Sequence, residues 1–183
     1  NTRDFEYQIT SAIKKLTNQA VANIGFWQGN GAANAQSDIS AAYGKLSEIY
    51  NVLAVDFTAE KKNPDNLSTL IIIGPKEKFK DEELKVIDAL LMRGGSLVIL
   101  ADGVTVAQGL AASKNDTGLN KILDAYGVKL NNNLVLDINN GMASFSQGFV
   151  TFSTNYPYWP KVVKSGFDQN NIAVARLESL VLP

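Results

Sequence analysis

"VIDALLMRGGSLVILADGV", residues 86–104, decides the fold class of this chain. A helix-forming run reaches Gly94-Gly95, the apolar run "SLVILA" (96–101) follows, and the chain leaves on Asp102-Gly103. Gly94 can supply the left-handed cap that ends a helix without steric penalty. A helix that stops on glycine and feeds a continuous apolar strand is half of a βαβ unit, with the strand buried on both faces. In open α/β sheets, ligands and reacting groups collect at the carboxyl ends of the strands. Asp102 and Gly103 therefore stand where chemistry would be done.

Reading upstream, "KDEELKVIDALLMRGG" (80–95) is the clearest helix, with Asp81, Glu82 and Glu83 at its positive end and Leu84, Ile87, Leu90 and Leu91 as core stripe. "LSTLIIIG" (67–74) is a second buried strand, closed by Gly74-Pro75. "AVANIGFW" (20–27) and "NVLAVDF" (51–57) read as two more strands, and "KKNPDN" (61–66) as a polar turn. Between the two strands lie a Gly/Asn-rich loop, "QGNGAANAQSD", and a helix near 39–50 whose Ile39, Tyr43, Leu46 and Ile49 or Tyr50 share a face; Asp38 or Ser37 can cap it. Residues 4–19 space Phe5, Ile9, Ala12, Ile13 and Leu16 as an amphipathic helix. Downstream, 117–128 is a helix capped by Thr117 and stopped by Gly127, and "NLVLDI" (133–138) is strand-like. Strands alternating with helices predict a mainly parallel sheet with helices on both faces. From residue 139 the pattern turns polar, aromatic and helix-poor. The expected organisation is an α/β domain over 1–138, led by a helix over 1–19, with an irregular, β-rich extension over 139–183 packed on the same domain.

Composition narrows the chemistry. The 183 residues are 45% hydrophobic and 19% charged, with net charge -1, ordinary for one globular domain or one domain with an appendage. Neither sign of charge dominates, so no nucleic-acid footprint is expected. The longest apolar runs fall far short of the ~20 residues of a membrane span. The chain has no Cys and no His. Thiol nucleophiles, disulfides, imidazole bases and Cys/His zinc sites are thus impossible within it. The start at Asn1 and the ending on "ESLVLP" read as a piece of a longer protein, with any membrane anchor outside these residues.

Three places could carry function. "GNGAAN" (29–34) follows the first strand, but the dinucleotide fingerprint G-x-G-x-x-G fails at Asn34 and no Gly-Lys-Ser/Thr phosphate loop exists. An exposed loop presenting Asn30, with no cofactor, is the plainer reading. Asp56 and Asp102 end two predicted strands; a carboxylate pair there could hold a metal or serve as acid and base, or each could only cap backbone N–H groups. "NYPYWP" (155–160) clusters Tyr156, Tyr158 and Trp159, either as a loop whose rings plug the core or as a surface for a sugar or a partner.

Several ordered motifs carry a family resemblance over nearly the whole chain. "NLSTLIIIGPKEKFKDEELKVIDALLMRGGSLVILADG" runs from a Gly-Pro strand end through an acidic helix start to Gly-Gly and an apolar strand. "GLNKILDAYGVKLNNNLVLD", "NYPYWPKV" and "EYQITSAIKKLT" match further steps of the same pattern. This resembles the ABC-transporter auxiliary family, which includes the gliding-motility subunit GldG. The resemblance implies a flavodoxin-like three-layer fold related in layout to class I glutamine amidotransferases. It implies a membrane-anchored accessory protein whose soluble domain lies on the extracytoplasmic (periplasmic) side, with ATP hydrolysis left to a separate subunit and no catalytic residues to carry over. In those amidotransferases such a strand leads to a Cys-x-Gly elbow; here Ala101 and Gly103 occupy those places, so the architecture is kept without the nucleophile.

The expectation is a non-catalytic domain that meets permease or ATPase subunits through the full-length protein, or an envelope protein or glycan. Its binding surface would be the loops over 28–37, 74–79 and 102–116 with the 155–160 aromatics, naming Asn30, Asp56, Pro75, Lys76, Asp102, Tyr156, Tyr158 and Trp159. The alternatives are a carboxylate- or metal-dependent hydrolase using Asp56 and Asp102, and a carbohydrate-binding module using the three rings.

Overall fold

The computed structural model describes residues 5–6, 8–10, 12–13, 21–57, 66–106 and 111–182. The described residues of the leading segment are helical, with Phe5, Ile9 and Ile13 exposed. Most of the turn expected over 61–66 lies outside the described residues, as does Leu16.

The chain divides into two units, one to Asn132 and one from Asn133. The first is built on a parallel sheet of β1 (Asn23–Trp27), β2 (Asn51–Val55), β3 (Leu67–Ile73) and β4 (Ser96–Leu100), in the order β2-β1-β3-β4. Helices α1 (Ser40–Ser47) and α2 (Asp81–Met92) make the crossovers between β1 and β2 and between β3 and β4. The alternation of β3 sorts its side chains. Leu70 and Ile72 join Trp27, Val55, Phe79, Leu84, Ile87, Leu90, Leu119 and Ile122 in one core, while Ile71 and Ile73 join Ile24, Phe26, Ala35, Tyr43 and Leu46 in the other. Two cores on opposite faces of one sheet make the expected three-layer α/β arrangement. The stripe on α2 faces the first core, with Leu84, Ile87 and Leu90 buried and Leu91 half-buried. Gly94 (φ 86°) and Gly127 (φ 76°) are the left-handed stops their positions promised. A short α3 (Asn120–Leu123) continues as a 3-10 turn over Asp124–Tyr126, and β5 (Val104–Val106) pairs antiparallel with β6 (Ala112–Lys114).

Three local expectations are corrected. Neither Asp38 nor Ser37 caps α1: Asp38 Oδ2 accepts the Asn34 N–H at 2.8 Å and Ser37 donates to Asp38 Oδ1, closing a turn before the helix. The strand β4 is buried on one face only. Leu97 and Ile99 pack on the α2 side, while Val98 and Leu100 are exposed, because β4 is a sheet edge that the second core does not reach. Residues 133–138 form no strand, since the Asp137 N–H alone finds a backbone acceptor on another segment, the Pro157 carbonyl.

The second unit is an antiparallel sheet of β7 (Asn140–Gln147), β8 (Val150–Val163) and β9 (Ser179–Val181). "NYPYWP" is therefore strand and not loop. Its two prolines fit because the register slips between Asn140 and Gly141, opposite Pro160 and Tyr156, so that Pro157 and Pro160 owe no N–H to the ladder. No helix among the described residues is long and apolar enough to cross a membrane.

Candidate functional site

The strand order reverses between β1 and β3, which is where open α/β sheets bind ligands. The loops after these strands carry Asn30, Pro75 and Lys76, and the fold brings them together around Asn30. Asn30 has φ 57°, a left-handed conformation asparagine tolerates better than most residues. Its backbone carbonyl accepts the N–H groups of Lys76 and Glu77 at 2.8 and 2.9 Å. Its side chain points inward: Oδ1 accepts Trp27 Nε1–H at 2.9 Å, and Nδ2 donates to the Lys78 carbonyl and to Glu83 Oε2, each at 3.1 Å. The residue expected to greet a ligand spends its amide on the chain itself.

Glu83 completes this plug. It sits in the first turn of α2, where the expected role was to complement the helix dipole. It is instead 3% exposed, and Oε2 also accepts the Lys80 N–H at 2.8 Å, satisfying an orphan donor at the helix start. Its other oxygen, Oε1, is buried without a partner. A lone buried acceptor can take a hydrogen bond from water or from a donor group entering between the loops.

A second knot ties this place to the end of β4. Asn115, itself buried, donates through Nδ2 to the carbonyls of Pro75 and Asp102, both at 2.9 Å. Pro75 is fully buried, so it serves the scaffold, while Lys76 and Asp102 present their side chains to solvent. Gly103, the would-be elbow glycine, lies so close to Asn131 that a Cβ would sit 1.9 Å from that residue's carbonyl oxygen. The glycine is demanded by a passing backbone, and by no nucleophile. Neither Glu83 nor Asn115 was singled out from the sequence as a site residue.

Asp56 follows β2 and Asp102 follows β4, at opposite edges of the sheet. Three interstrand spacings put their backbones about 14 Å apart, too far for a shared metal or for an acid–base pair across one bond. Among the described residues no group of three or more acidic side chains converges as a metal site. In the second unit, Tyr156 and Trp159 are half-buried and Tyr158 is exposed. Tyr156 meets Tyr158 at 62° and Trp159 at 84°, edge to face. Those rings do not form the flat platform that stacks on a sugar.

Exposed ion pairs close the rim. Lys78 bonds Asp116 at 3.2 Å, and Lys121 bonds Asp81 at 2.6 Å. The lysine partners hold both carboxyls below the ordinary value of 3.8, and the Asn34 N–H does the same for Asp38. A depressed folded pKa adds stability that is complete above the unfolded value and disappears as pH falls through the folded one. The melting temperature should therefore fall as the pH drops below about 4. A triple Asp38→Asn, Asp81→Asn, Asp116→Asn variant should show a shallower acid decline; an unchanged slope would refute the assignment.

A family model described as "ABC-type uncharacterized transport system" (ABC_transp_aux) matches residues 22–183. The human intraflagellar transport protein 52 homolog is 33% identical over 82 residues, 44% of this chain and 17% of that protein. A solved structure titled "mmIFT52 N-terminal domain" superposes with a TM-score of 0.54 at 18% identity, covering 78% of this chain and 71% of that one. At that identity the likeness is one of fold. The chain spans about a sixth of the curated relative, so what that protein does as a whole is not transferred.

Proposed function

This chain belongs to the ABC transport auxiliary family, an accessory component of ABC-type transport systems, and from that premise we propose that it is a non-catalytic, extracytoplasmic docking domain of a membrane-anchored subunit. The single observation that carries this reading is the filled switch point. At the switch point, where open α/β sheets hold ligands, this chain places Asn30 bonded to both Trp27 and Glu83. A chain without thiol or imidazole has few means of activating a nucleophile. The plug instead ties the loops after β1 and β3 to one another, which suits a preorganised binding surface. Lys76, Glu77 and Asp102 project from it. The proposal extends to gliding motility, since the motifs in 67–128 resemble a family that includes a gliding-motility subunit.

The partner surface is therefore the rim of the parallel sheet, and the partner a permease or ATPase-associated subunit of the same system. A photo-crosslinking residue at position 76 of the anchored full-length protein, activated in its own membranes, should capture a transporter component. The same residue at position 45, on α1, should capture none. Equal capture from both positions, or recovery of no transporter component, would refute the proposal.

A further inference from the structure

Residues 138–160 contain no Asp, Glu, Lys or Arg. This run forms the β7–β8 hairpin, whose turn is Gly148 (φ 60°) and Phe149. Phe149 is fully exposed, and Val150, Phe152 and Met142 are each more than half exposed. Cross-strand register sorts the two faces. Phe145, the Phe152 opposite it and Val150 share one face, with the two phenyl rings stacked at 5.6 Å. Ser144–Ser153 and Ser146–Thr151 share the other, bonded hydroxyl to hydroxyl at 2.8 and 3.0 Å. These hydroxyls satisfy one another across the strands, which lowers the cost of taking them out of bulk water.

The chemistry is layered from tip to base. Phe149 leads at the turn; Val150 and Phe152 follow on one face, with the self-paired hydroxyls of Ser146–Thr151 and Ser144–Ser153 interleaved on the other. The aromatic group of Tyr156, Tyr158 and Trp159 comes next, and charge returns only at Asp137, Lys161, Lys164 and Asp168. That is the polarity sequence met on moving from acyl chains through headgroups to water, with Tyr and Trp at the headgroup level. A protein partner would not require a run of 23 residues without charge. We propose that the β7–β8 hairpin inserts its tip into a phospholipid surface. The six residue steps from Val150 to Tyr156 span about 20 Å, enough to cross a headgroup layer about 5–8 Å thick at a tilt. The unpaired outer edge of β7 keeps the hairpin at the interface, because hydrocarbon offers those backbone groups no partner. The four basal charges cancel, so the binding should be carried by apolar burial and not by anionic lipid.

The proposal stands on the second unit alone and does not depend on the transporter reading. The 183-residue chain should float with phosphatidylcholine vesicles, with little change on adding phosphatidylglycerol or 0.5 M salt (about the ionic strength at which exposed charges are screened). Phe149→Ser should lower the bound fraction about tenfold, and Phe149→Ser with Phe152→Ser further still. Phe149 has no packing to lose, so the single variant decides the matter even if the double variant folds poorly. A chain that stays with the soluble fraction, a Phe149→Ser variant that floats like the parent, or binding that requires anionic lipid would each overturn it. So would a vesicle-inert chain whose concentration-dependent self-association is lost in Phe149→Ser, which would assign the hairpin to a second copy. Capture of a transporter component at position 76 would be unaffected by any of these results.

Discussion

Replacing Gly103 by Ala is expected to abolish the folded state or to lower its stability by more than ~3 kcal/mol. The added Cβ would lie 1.9 Å from the Asn131 carbonyl oxygen and 2.8 Å from its carbonyl carbon. Both are backbone atoms, so no rotamer change can make room. The backbone on either side is also held. The Gly103 carbonyl accepts Asn115 N–H at 3.0 Å and Asn132 Nδ2 at 2.8 Å, and the Asp102 carbonyl accepts Asn115 Nδ2. Relief of the clash must break these bonds and expose the end of β4. Gly44→Ala is the matched control. Gly44 lies inside α1 with nothing within 4 Å of its would-be Cβ, so alanine there should raise stability by ~0.5–1 kcal/mol. Urea midpoints of the two variants measure the contrast. A Gly103→Ala chain that unfolds at the parent's midpoint would mean that Asn131 does not pass where the structure places it.

That glycine also marks the limit of what the sequence could say. Its place after an apolar strand suggested an elbow, and the sheet confirms the strand. The reason for glycine is a contact with residue 131, which no local pattern announces. The same division holds elsewhere. Periodicity of 3.6 found Leu84, Ile87 and Leu90, and glycine chemistry found the stops at 94 and 127, because those signals are local. Asn115 gave no signal, since its acceptors lie 40 and 13 positions away. Glu83 was hidden among Asp81 and Glu82, which do stay exposed; only tertiary packing separates the buried acid from its neighbours. Residues 133–138 have strand composition but make a single backbone bond to another segment, as β-propensity is realised only where a ladder partner exists. The sheet order, which keeps Asp56 from Asp102, is likewise a property of pairing and not of either strand's sequence.

Truncating Glu83 to Ala is expected to cost ~2–4 kcal/mol, because it strands two donors, Lys80 N–H and Asn30 Nδ2, in a buried place. Asn30→Ala should cost a similar amount by a different sum: the Trp27 indole N–H and Glu83 lose a partner, and alanine is less content than asparagine at φ 57°. Asn30→Gly removes the side chain but keeps the left-handed backbone easy, so the difference between the Gly and Ala variants isolates the dihedral contribution. The Asn30→Gly and Glu83→Ala pair should be strongly non-additive, with a coupling of ~1–3 kcal/mol, as residues in one hydrogen-bonded network are. Glu83→Gln tests the orphaned oxygen. Its carbonyl oxygen can retain the bonds now made by Oε2, while an amide nitrogen replaces the partnerless Oε1. The new amide N–H groups meet no acceptor among the described residues, so the change should cost ~1–3 kcal/mol, and more if a buried water or an incoming donor now uses Oε1. Because Lys76 and Glu77 hang by their N–H groups on the Asn30 carbonyl, loosening the plug should also free the loop after β3. Crosslinking from position 76 should then weaken in Glu83→Ala at temperatures where the chain remains folded. Additive single variants, or a Glu83→Ala chain as stable as the parent, would show that the filled switch point does not hold this rim in place.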